Sequence, residues 1–433
     1  MRDRQVHPMA LGVFKGTVAG APAIALYALL LYAGAARADD ADAPIFSFSG
    51  FGTLGLVHSS EHRADFTAGK FRPVGAGYSA DWSADVDSLI AAQVTATLTP
   101  KLSAVVQVIS ELNYDRSYRP HVEWANLKYQ FTPDFSIRLG RTALPVFGVT
   151  DSRKIGYANP WVRPPIEVYS LVPVTSNDGI DASYRMQLGA ASNTLLFAAG
   201  SSDTRLPGGG SLSPATVRVR KVMTLVDTTE WGFASVRVNY GQARLSLSYL
   251  DPLFDGFRQF GPQGVAIADR YAVHDRLINF LGVGVGYDPG DWFVTGELGR
   301  ITSRGSVLGG STGWYLSGGY RFGKFTAYAT YGKRSADGNV SDPGLDLAML
   351  PPYLAVPAGR LNAALNSLLR NKTEQSTASV GTRWDFARNA AFKLQLDRTQ
   401  LGAGSSGVLT NLQPGFTRGG IDVVLSATLD FVF

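Results

Sequence analysis

The end of the chain carries a strict alternation of apolar and polar residues. In the segment GGIDVVLSATLDFVF, apolar side chains occupy every second position and most of the intervening positions are polar. The apolar face holds Ile421, Val423, Leu425, Ala427, Leu429, Phe431 and Phe433, and the opposite face holds Asp422, Ser426, Thr428 and Asp430. Because successive side chains of a strand point to opposite sides, this pattern predicts a β-strand with one apolar and one polar surface.

The same alternation recurs along the chain in pairs of segments joined by short turns. One pair runs from Ile90 to Leu98 and, after Thr99-Pro100-Lys101, from Leu102 to Val108. The predicted strands are 45–57, 87–98, 102–112, 122–131, 135–142, 179–187, 193–200, 229–240, 244–250, 274–287, 292–301, 313–322, 325–333, 375–386, 391–401 and 419–433. The sequence therefore predicts an all-β chain of sixteen strands. The count is open by two, because 217–226 (VRVRKVMTLV) is assigned to a loop but could form a further strand.

Short and long connections alternate between the predicted strands. The short ones are 99–101, 132–134, 188–192, 241–243, 288–291, 323–324 and 387–390, and the long ones are 58–86, 143–178, 201–228, 251–273 and 334–374. Aromatic residues gather beside the short turns, where amphipathic rings would meet a lipid–water boundary. A soluble sandwich would alternate too, but would not gather aromatic rings at one set of turns. These features predict a transmembrane antiparallel β-barrel.

The first 38 residues have the parts of a secretory signal peptide. Arg2, Arg4 and Lys15 form a basic region, residues 21–36 are mostly apolar, and Ala36-Arg37-Ala38 has the small-residue pattern of a cleavage site. A permanent anchor helix is the alternative, but the apolar segment is shorter than the ~20 residues that a span needs. We therefore expect residues 1–38 to be removed and residues 39–433 to form a single barrel domain.

Composition removes several classes of function. The chain has no cysteine, which excludes disulfides, zinc–thiolate sites and thiol nucleophiles. Its formal net charge is +5 over 433 residues. Removal of residues 1–38 takes away four basic residues and one acidic residue, leaving 36 Lys and Arg against 34 Asp and Glu, a net charge of +2. No basic excess is left that would indicate a nucleic-acid partner.

Over essentially its whole mature length, the chain resembles the Gram-negative outer-membrane porins. The terminal aromatic of LDFVF, Phe433, resembles the C-terminal signal read by the barrel assembly machinery. The segment 156–179, GYANPWVRPPIEVYSLVPVTSNDG, resembles the third loop of an uncharacterised family of proteobacterial porin-like proteins. The resemblance implies the outer membrane of a Gram-negative bacterium as the location, surrounding lipid and a homotrimer as partners, and a third loop that folds into the barrel.

If the apolar faces meet lipid, the opposite faces surround a water-filled lumen. Charged residues on those faces are predicted to line the pore: Lys128, Arg138, Arg185, Arg237, Arg244, Arg321, Arg383 and Lys393 on the basic side, and Glu111, Asp181, Glu297, Asp385 and Asp397 on the acidic side. Opposed charges in a narrow channel orient water and polar solutes. Individual members could equally be solvated wall residues with local ion pairs. The basic excess predicts a weak preference for anions.

Loop 143–178 is the candidate constriction. A loop of this length without its own function is unusual in a compact domain. By resemblance to the porin third loop, its charged residues would face the narrowest part of the channel. They are Asp151, Arg153, Lys154, Arg163, Glu167 and Asp178.

The segment SGFGTLG (49–55) has the glycine spacing of a dinucleotide-binding turn. Strand alternation continues through it and no helix follows, so the pattern does not predict such a site. Gly50 and Gly52 instead lie on the apolar face, as do Ala92, Ala96 and Ala104 on the neighbouring strands. Small side chains allow membrane surfaces to approach closely. We therefore predict a subunit interface at strands 1 to 4.

Three further motifs have weaker interpretations. HSSEH (58–62) has the spacing of an inverted zinc-protease motif but begins a polar loop, which leaves adventitious metal binding as the alternative. GGSTG (309–313) has the spacing of a nucleophile elbow, but no histidine follows Ser311. Residues 357–370, PAGRLNAALNSLLR, predict an amphipathic helix in the longest loop, as simple packing or as a gating plug.

Together these features predict an outer-membrane porin that lets small hydrophilic solutes diffuse passively, with no enzyme activity, catalytic residue, metal or cofactor. The alternative is a substrate-selective channel with a solute-binding site at the loop 143–178 constriction. A barrel enzyme would need a credible constellation containing histidine, and an adhesin would need larger loops.

Overall fold

The computed structural model describes residues 45–69, 72–207, 215–303, 305–338 and 341–433. Their long strands, numbered β1 to β16, are Phe46–Ser59, Leu89–Thr99, Leu102–Glu111, His121–Thr132, Phe135–Ala143, Ser176–Leu188, Ala191–Leu206, Ala215–Trp231, Ala234–Leu247, Arg276–Tyr287, Trp292–Ser303, Gly310–Phe322, Phe325–Ala336, Gln375–Ala387, Ala390–Leu401 and Ile421–Val432. The predicted signal peptide, residues 1–38, lies outside the described residues.

Each strand pairs antiparallel with the next, and the first strand closes the sheet. β1 pairs with β2 from Phe46 to Thr53 and with β16 from Phe51 to Ser59. A two-residue strand, Trp82–Ser83, adds to the same sheet beside β1. The predicted closed antiparallel barrel of sixteen strands is confirmed.

The alternation read from the sequence matches the exposure of the side chains. On β16, Ile421, Val423 and Leu425 are exposed, whereas Asp422 and Ser426 are buried. The other strands likewise expose large apolar side chains on one face only. The exposed face therefore lies outside the barrel, and the polar face lines its interior.

The connections fall into two groups at opposite ends of the strands. Those of two to four residues are 100–101, 133–134, 189–190, 232–233, 288–291, 323–324 and 388–389. The longer ones are 60–88, 112–120, 144–175, 207–214, 248–275, 304–309, 337–374 and 402–420. Aromatic rings contact each other beside the short turns, as between Tyr287 and Trp292, Phe322 and Phe325, and Phe325 and Trp384.

Two adjacent strands differ from the sequence prediction. The segment 217–226 belongs to β8, so the long loop predicted at 201–228 is wrong. The turn predicted at 241–243 is also wrong, because Gly241 lies within β9 and pairs with Thr224 and Phe280. A side chain at Gly241 would approach Thr224 Oγ1 to 3.0 Å, so this glycine fits a close approach of two strands rather than a turn. The prediction thus omits β8 but divides β9 into two strands, so the predicted number of strands is still sixteen.

Helices occur in the long connections and pack on a core inside the barrel. They are α1 (Ile166–Tyr169), α2 (Asp251–Arg258), α3 (Gly261–Tyr271) and α4 (Pro352–Arg370). The predicted helix at 357–370 thus begins five residues earlier, and Pro357 lies inside it. Phe254, Phe257 and Leu365 of these helices share one buried core with Phe147 and Trp161 of connection 144–175. No helix among the described residues is long and apolar enough to cross a membrane.

Candidate channel interior

Connection 144–175, called the inner loop below, contacts inward-facing side chains of distant strands. The indole Nε1 of Trp161 donates a hydrogen bond to Ser317 Oγ on β12 at 2.8 Å. Lys393 Nζ on β15 donates to the carbonyl oxygens of Gly156 and Trp161 at 2.7 and 2.9 Å. Since these strand residues are buried and lie on the interior face, the loop packs against the interior wall of the barrel at these positions.

A first ionic anchor joins the inner loop to β3 and β4. Lys154 Nζ lies 2.9 Å from Glu111 Oε1 and 2.8 Å from Glu123 Oε2. Arg72 Nη2 contacts the other oxygen of Glu111 at 2.5 Å. Burial lowers the pKa of Lys154, but the two carboxylates outweigh it, so the pKa lies above its ordinary value. Lys154 is therefore a charged bridge between two carboxylates.

A second ionic anchor joins the loop to the closure of the barrel. Arg163 donates to both oxygens of Asp87, at 3.0 and 2.6 Å, and contacts Asp397 Oδ2 at 3.3 Å. It also donates to Ser426 Oγ at 2.7 Å, and its guanidinium lies 5.0 Å from the ring centroid of Phe66. The bidentate pair with Asp87 fixes the guanidinium in both position and orientation.

On β11, the carboxylate of Glu297 holds the start of the inner loop and α1. It accepts hydrogen bonds from the hydroxyls of Tyr169 and Tyr315 at 2.5 and 2.8 Å. Its second oxygen accepts the backbone N–H of Gly148 at 2.7 Å. Glu297 thus lies on the interior face, where the loop and Tyr315 occupy both of its carboxylate oxygens.

Glu167 of α1 faces β14 in a buried contact. Its Oε1 accepts hydrogen bonds from Gln375 Nε2, at 2.7 Å, and from Thr377 Oγ1. Burial raises the pKa of Glu167 above its ordinary value, and the hydrogen bonds from Thr377 and Gln375 oppose that shift. The loop therefore holds an acidic group for which ionisation is unfavourable.

Two predicted pore-lining residues on β14 and β15 hold the loop rather than face open water. Arg383 donates to the carbonyl oxygens of Tyr157 and Asn159 at 2.6 and 3.1 Å. Lys393 is 0% exposed and forms an ion pair with Asp430 at 2.9 Å. Both side chains lie on the interior face, where strand carboxylates pair with their charges and the carbonyl oxygens of the loop accept further hydrogen bonds from them.

A more exposed basic strip remains on the interior face of β4 to β6. Lys128 lies opposite Arg138 in the strand ladder, and Arg138 Nε pairs with Asp181 Oδ1 at 2.9 Å. Arg185 is exposed on the same face of β6 as Asp181. We call Lys128, Arg138 and Arg185 the basic strip.

Three further arginines that were predicted to line the pore or the constriction bind other protein groups. Arg237 on β9 donates to the carbonyl oxygen of Pro145 at 3.3 Å. Arg321 pairs with Asp288 at 2.6 Å beside a short turn. Arg153 donates within the loop to the carbonyl oxygen of Tyr169 at 2.8 Å.

The carboxylate of Asp151 has a different environment from the other charged groups of the inner loop. It lies between loop residues that bind the wall, yet Asp151 itself is exposed. The other carboxylate of the inner loop, Glu167, is buried.

Two predicted site residues lie on the outside of the barrel. Arg244 shares the face of the exposed residues Val238 and Tyr240, because β9 continues through the position where a turn was predicted to reset the alternation. Asp178 lies in β6 rather than in the loop, on the face of exposed Ile180, and pairs with Arg141 at 2.6 Å. Neither residue faces the channel interior.

Sequence reasoning missed Glu123 and the loop tyrosine Tyr169. A register shift between β3 and β4 leaves Glu123 without an opposite residue in the strand ladder, because Gln107 lies opposite Trp124 and Val108 opposite Val122. The regular alternation would have placed Glu123 outside. Tyr169 stands in an irregular loop, where no periodic signal indicates its partner.

The sequence motifs with enzymatic interpretations lie in unrelated surroundings. His62 Nδ1 of HSSEH is 3.8 Å from Asp81, and the described residues contain no group of three or more His, Asp or Glu placed to hold a metal ion. Ser311 of GGSTG lies in β12, and its hydroxyl accepts a hydrogen bond from Arg334 Nε at 3.1 Å. A regular strand lacks the sharp turn that exposes a nucleophilic serine.

The residues predicted for the subunit interface differ in their exposure. Ala92 is exposed, Ala104 is half-buried, and Gly50 and Ala96 are buried. The ring of Phe431 on β16 covers Gly52, since a Cβ there would lie 2.4 Å from Phe431 Cζ. The outer surface at Gly52 is therefore occupied by this ring.

Solved structures of similar fold are outer-membrane proteins. OmpF of Salmonella typhi, in complex with daunomycin, aligns with a TM-score of 0.51 and 12% identity over 90% of this chain and 97% of its own. OmpT, an outer membrane protein of Vibrio cholerae, aligns with a TM-score of 0.49 and 11% identity over 92% and 100%. A mutant of the Rh. blastica porin aligns with a TM-score of 0.45 and 12% identity over 90% and 100%.

Neither the family models nor the curated proteins include a match to this sequence. The similarity to OmpF extends over most of both chains and shows that this chain has a porin-like barrel fold.

Proposed function

We propose that this chain is an outer-membrane porin, a water-filled channel for the passive diffusion of small hydrophilic solutes. The observation that carries the proposal is the distribution of side chains on the closed barrel. Large apolar residues are exposed on the outer face, whereas the interior face carries polar and charged residues beside an apolar core on which connection 144–175 packs. A wall of this kind favours hydrated solutes over apolar ones.

The basic strip supports a preference for anions within this function. Lys128, Arg138 and Arg185 face the interior, and the carboxylate of Asp181 neutralises only one of these charges directly. The carboxylate of Asp151 opposes the preference from the loop. The net excess is small, so the selectivity is expected to be weak.

The proposed setting follows from the sequence and the fold together. Residues 1–38 would direct export, Phe433 would be read by the barrel assembly machinery, and the mature chain would lie in the outer membrane of a Gram-negative bacterium. Resemblance to porins supports a homotrimer, with Gly50, Gly52, Ala92, Ala96 and Ala104 at or near its interface. No cofactor and no catalytic residue belong to the proposal.

Conductance of the purified chain in a planar bilayer tests the proposal. We expect stepwise increases in current as single channels open. Under a KCl gradient, the sign of the reversal potential should show that the channel prefers anions. The variant K128Q/R185Q should shift that potential towards cation selectivity. The control K333Q/R398Q removes the same charge from exposed positions on the outer faces of β13 and β15 and should leave it unchanged. A folded barrel that does not conduct would contradict the proposed channel. Cation selectivity of the wild-type chain would contradict the proposed anion preference.

The alternative is a substrate-selective channel with a binding site at the inner loop. Asp151 favours it, because this carboxylate is exposed while Lys154, Arg163 and Glu167 of the loop bind the wall. Solute flux into liposomes separates the two functions. Flux that rises linearly with concentration for all small sugars and organic acids supports the general porin, whereas saturation with one solute class supports the selective channel.

A further inference from the structure

The outer face of β7 and β8 carries a small set of polar side chains within an otherwise apolar surface. On β8, Asp227 and Thr229 share a face with the exposed residues Leu225 and Trp231. Asn193 on β7 lies directly opposite Thr229. We call Asn193, Asp227 and Thr229 the outer polar group. The channel proposed above makes no use of it.

The depth of Asp227 distinguishes it from other charged residues on the outside of the barrel. It lies four positions from Trp231, which flanks the short turn 232–233. With a rise of about 3.3 Å per residue and the usual tilt of barrel strands, Asp227 lies about 10 Å from the level of Trp231 along the membrane normal. Arg300 and Lys333, by contrast, each lie three positions from a strand end that leads to a longer connection. Asp227 is therefore at the depth of the lipid hydrocarbon.

Hydrogen bonds within the outer polar group leave two acceptor oxygens without donors. Asn193 Nδ2 donates to Asp227 Oδ1 at 3.0 Å and to Thr229 Oγ1 at 2.8 Å, and Thr229 Oγ1 donates to the same Asp227 oxygen at 3.4 Å. Asn193 is 5% exposed, and its Oδ1 has no hydrogen-bond partner in the part of the chain that the structure describes. Within those residues, no side chain donates to Asp227 Oδ2 and no basic group pairs with this carboxylate. Hydrocarbon supplies no donor either, so the group is incomplete in a single barrel.

An exposed hydrogen-bond donor lies on the same outer surface, two strands away. Tyr184 on β6 lies opposite Leu195 on β7, and Leu195 lies opposite Asp227 on β8, so these three residues form one row of the ladder. Tyr184 is 47% exposed, and Phe197 beside Leu195 is 44% exposed. A donor and an acceptor thus flank an apolar centre. Such a surface is complementary to itself, because a two-fold axis at Leu195 brings the tyrosine of each copy to the carboxylate of the other.

We propose that the outer surface of β6 to β8 is a contact between two copies of this chain in the membrane, in which Tyr184 of each copy donates a hydrogen bond to Asp227 of the other. The proposal rests on the proposed function, because it requires barrels embedded side by side in a membrane. The contact removes the carboxylate from hydrocarbon and supplies the donor that a single barrel lacks. It does not include β1 to β3, so it is separate from the interface predicted there and would join assemblies built on that interface.

Disulfide cross-linking of the full chain in lipid vesicles tests the proposal. Because the chain has no cysteine, L195C introduces a single thiol at the proposed two-fold axis. We expect oxidation with copper phenanthroline to convert L195C into a disulfide-linked dimer. Adding D227L or Y184F should slow this reaction about tenfold, because each substitution removes one partner of the hydrogen bond. D227N keeps an acceptor and should retain most of the cross-linking.

L394C is the matched control, because Leu394 lies at the same depth on the opposite side of the barrel. It belongs to β15, eight strands from β7, and is 41% exposed. Leu394 lies five positions after the short turn 388–389, as Leu195 does after 189–190. Equal cross-linking of L394C and L195C would show random collision and overturn the proposal. Absence of an L195C dimer, or a rate that D227L does not change, would also overturn it, because lipid or another protein would then cover the outer polar group.

Folding and conductance separate this proposal from the proposed channel. Heat-modifiable migration on gels verifies that each variant is folded. Without oxidation, L195C and D227L should conduct like the wild type, since both positions lie on the outer face. A folded, conducting chain that forms no L195C dimer would refute the contact alone. A folded wild-type chain that does not conduct would refute the channel alone.

Discussion

At the scale of single residues, the interior is organised by charges that hold the inner loop. Lys154 bridges two carboxylates that would otherwise repel each other, at 2.9 and 2.8 Å. Arg163 and Glu297 hold other parts of the loop to the barrel closure and to β11. Breaking a buried ion pair by removing one partner costs about 3 to 5 kcal/mol, because the remaining charge is left without compensation.

The variant K154Q tests this bridge. We expect a loss of about 3 kcal/mol in the free energy of unfolding, measured by urea denaturation in lipid vesicles, since buried Glu123 would lose its lysine partner and Glu111 would keep only Arg72. Current fluctuations in planar bilayers should increase as the loop loses this anchor. K324Q, which removes the same charge from an exposed short turn, should change neither quantity. Equal stability of K154Q and wild type would show that the bridge contributes nothing.

Glu167 provides a second test, in which the sign of the pH dependence matters. Its pKa is raised by burial above the ordinary value of 4.5, so its contribution to stability is lost as the pH rises through the folded-state pKa. Gln at this position keeps an acceptor for Gln375 and Thr377 but cannot ionise. The stability of E167Q relative to wild type should therefore increase with pH above about 4.5, as measured by urea unfolding at a series of pH values. If the stability difference between E167Q and wild type did not change with pH, the inference that burial raises the pKa of Glu167 would be wrong.

At the scale of elements, a glycine followed by a polar residue can lie either in a turn or within a strand. Gly241-Gln242 lies in the middle of β9, where its neighbours supply ladder partners on both sides. A ten-residue insertion between 241 and 242 should abolish heat-modifiable migration, because it interrupts two ladders. The same insertion between Gly232 and Phe233, in a true short turn, should be tolerated. Folding of both insertion variants would contradict the assignment of β9.

Strand alternation explains how much of the structure could be predicted. Most strands, including β16, follow a period of two without interruption, so the barrel and its outward faces could be read from the sequence. The pattern fails where a register shift adds a residue, as at Glu123 and Lys221. It also misplaces residues beyond a false turn, which is why Arg244 was expected inside.

The loop partners could not be predicted for a different reason. Arg163 contacts Asp87 and Asp397, which are separated from it by 76 and 234 positions in sequence. No local period relates such residues, because the contacts depend on closure of the whole barrel. The resemblance to porins indicated an inward loop, but it did not indicate that Lys154, Arg163 and Glu167 would be its anchors.

At the scale of the whole molecule, the proposed trimer requires an outer surface on which a second barrel can pack. Gly52 is a poor position for testing it, because a larger side chain there would displace Phe431 from the pairing of β1 with β16. Ala92 on β2 is exposed and avoids this closure. We expect A92W to weaken a detergent-resistant trimer, detected by chemical cross-linking, while the monomeric barrel stays folded.

The outer face of β14 supplies the matched control for this substitution. Ala378 is also an exposed alanine, and it shares its face with exposed Val380 and Trp384. A378W adds the same bulk away from the proposed interface and should leave the cross-linking pattern unchanged. If A378W disrupts the trimer and A92W does not, the interface lies on the side of β14 instead. If the wild-type chain is monomeric, small residues on β1 to β3 have no role in assembly, and their outer surface meets lipid alone.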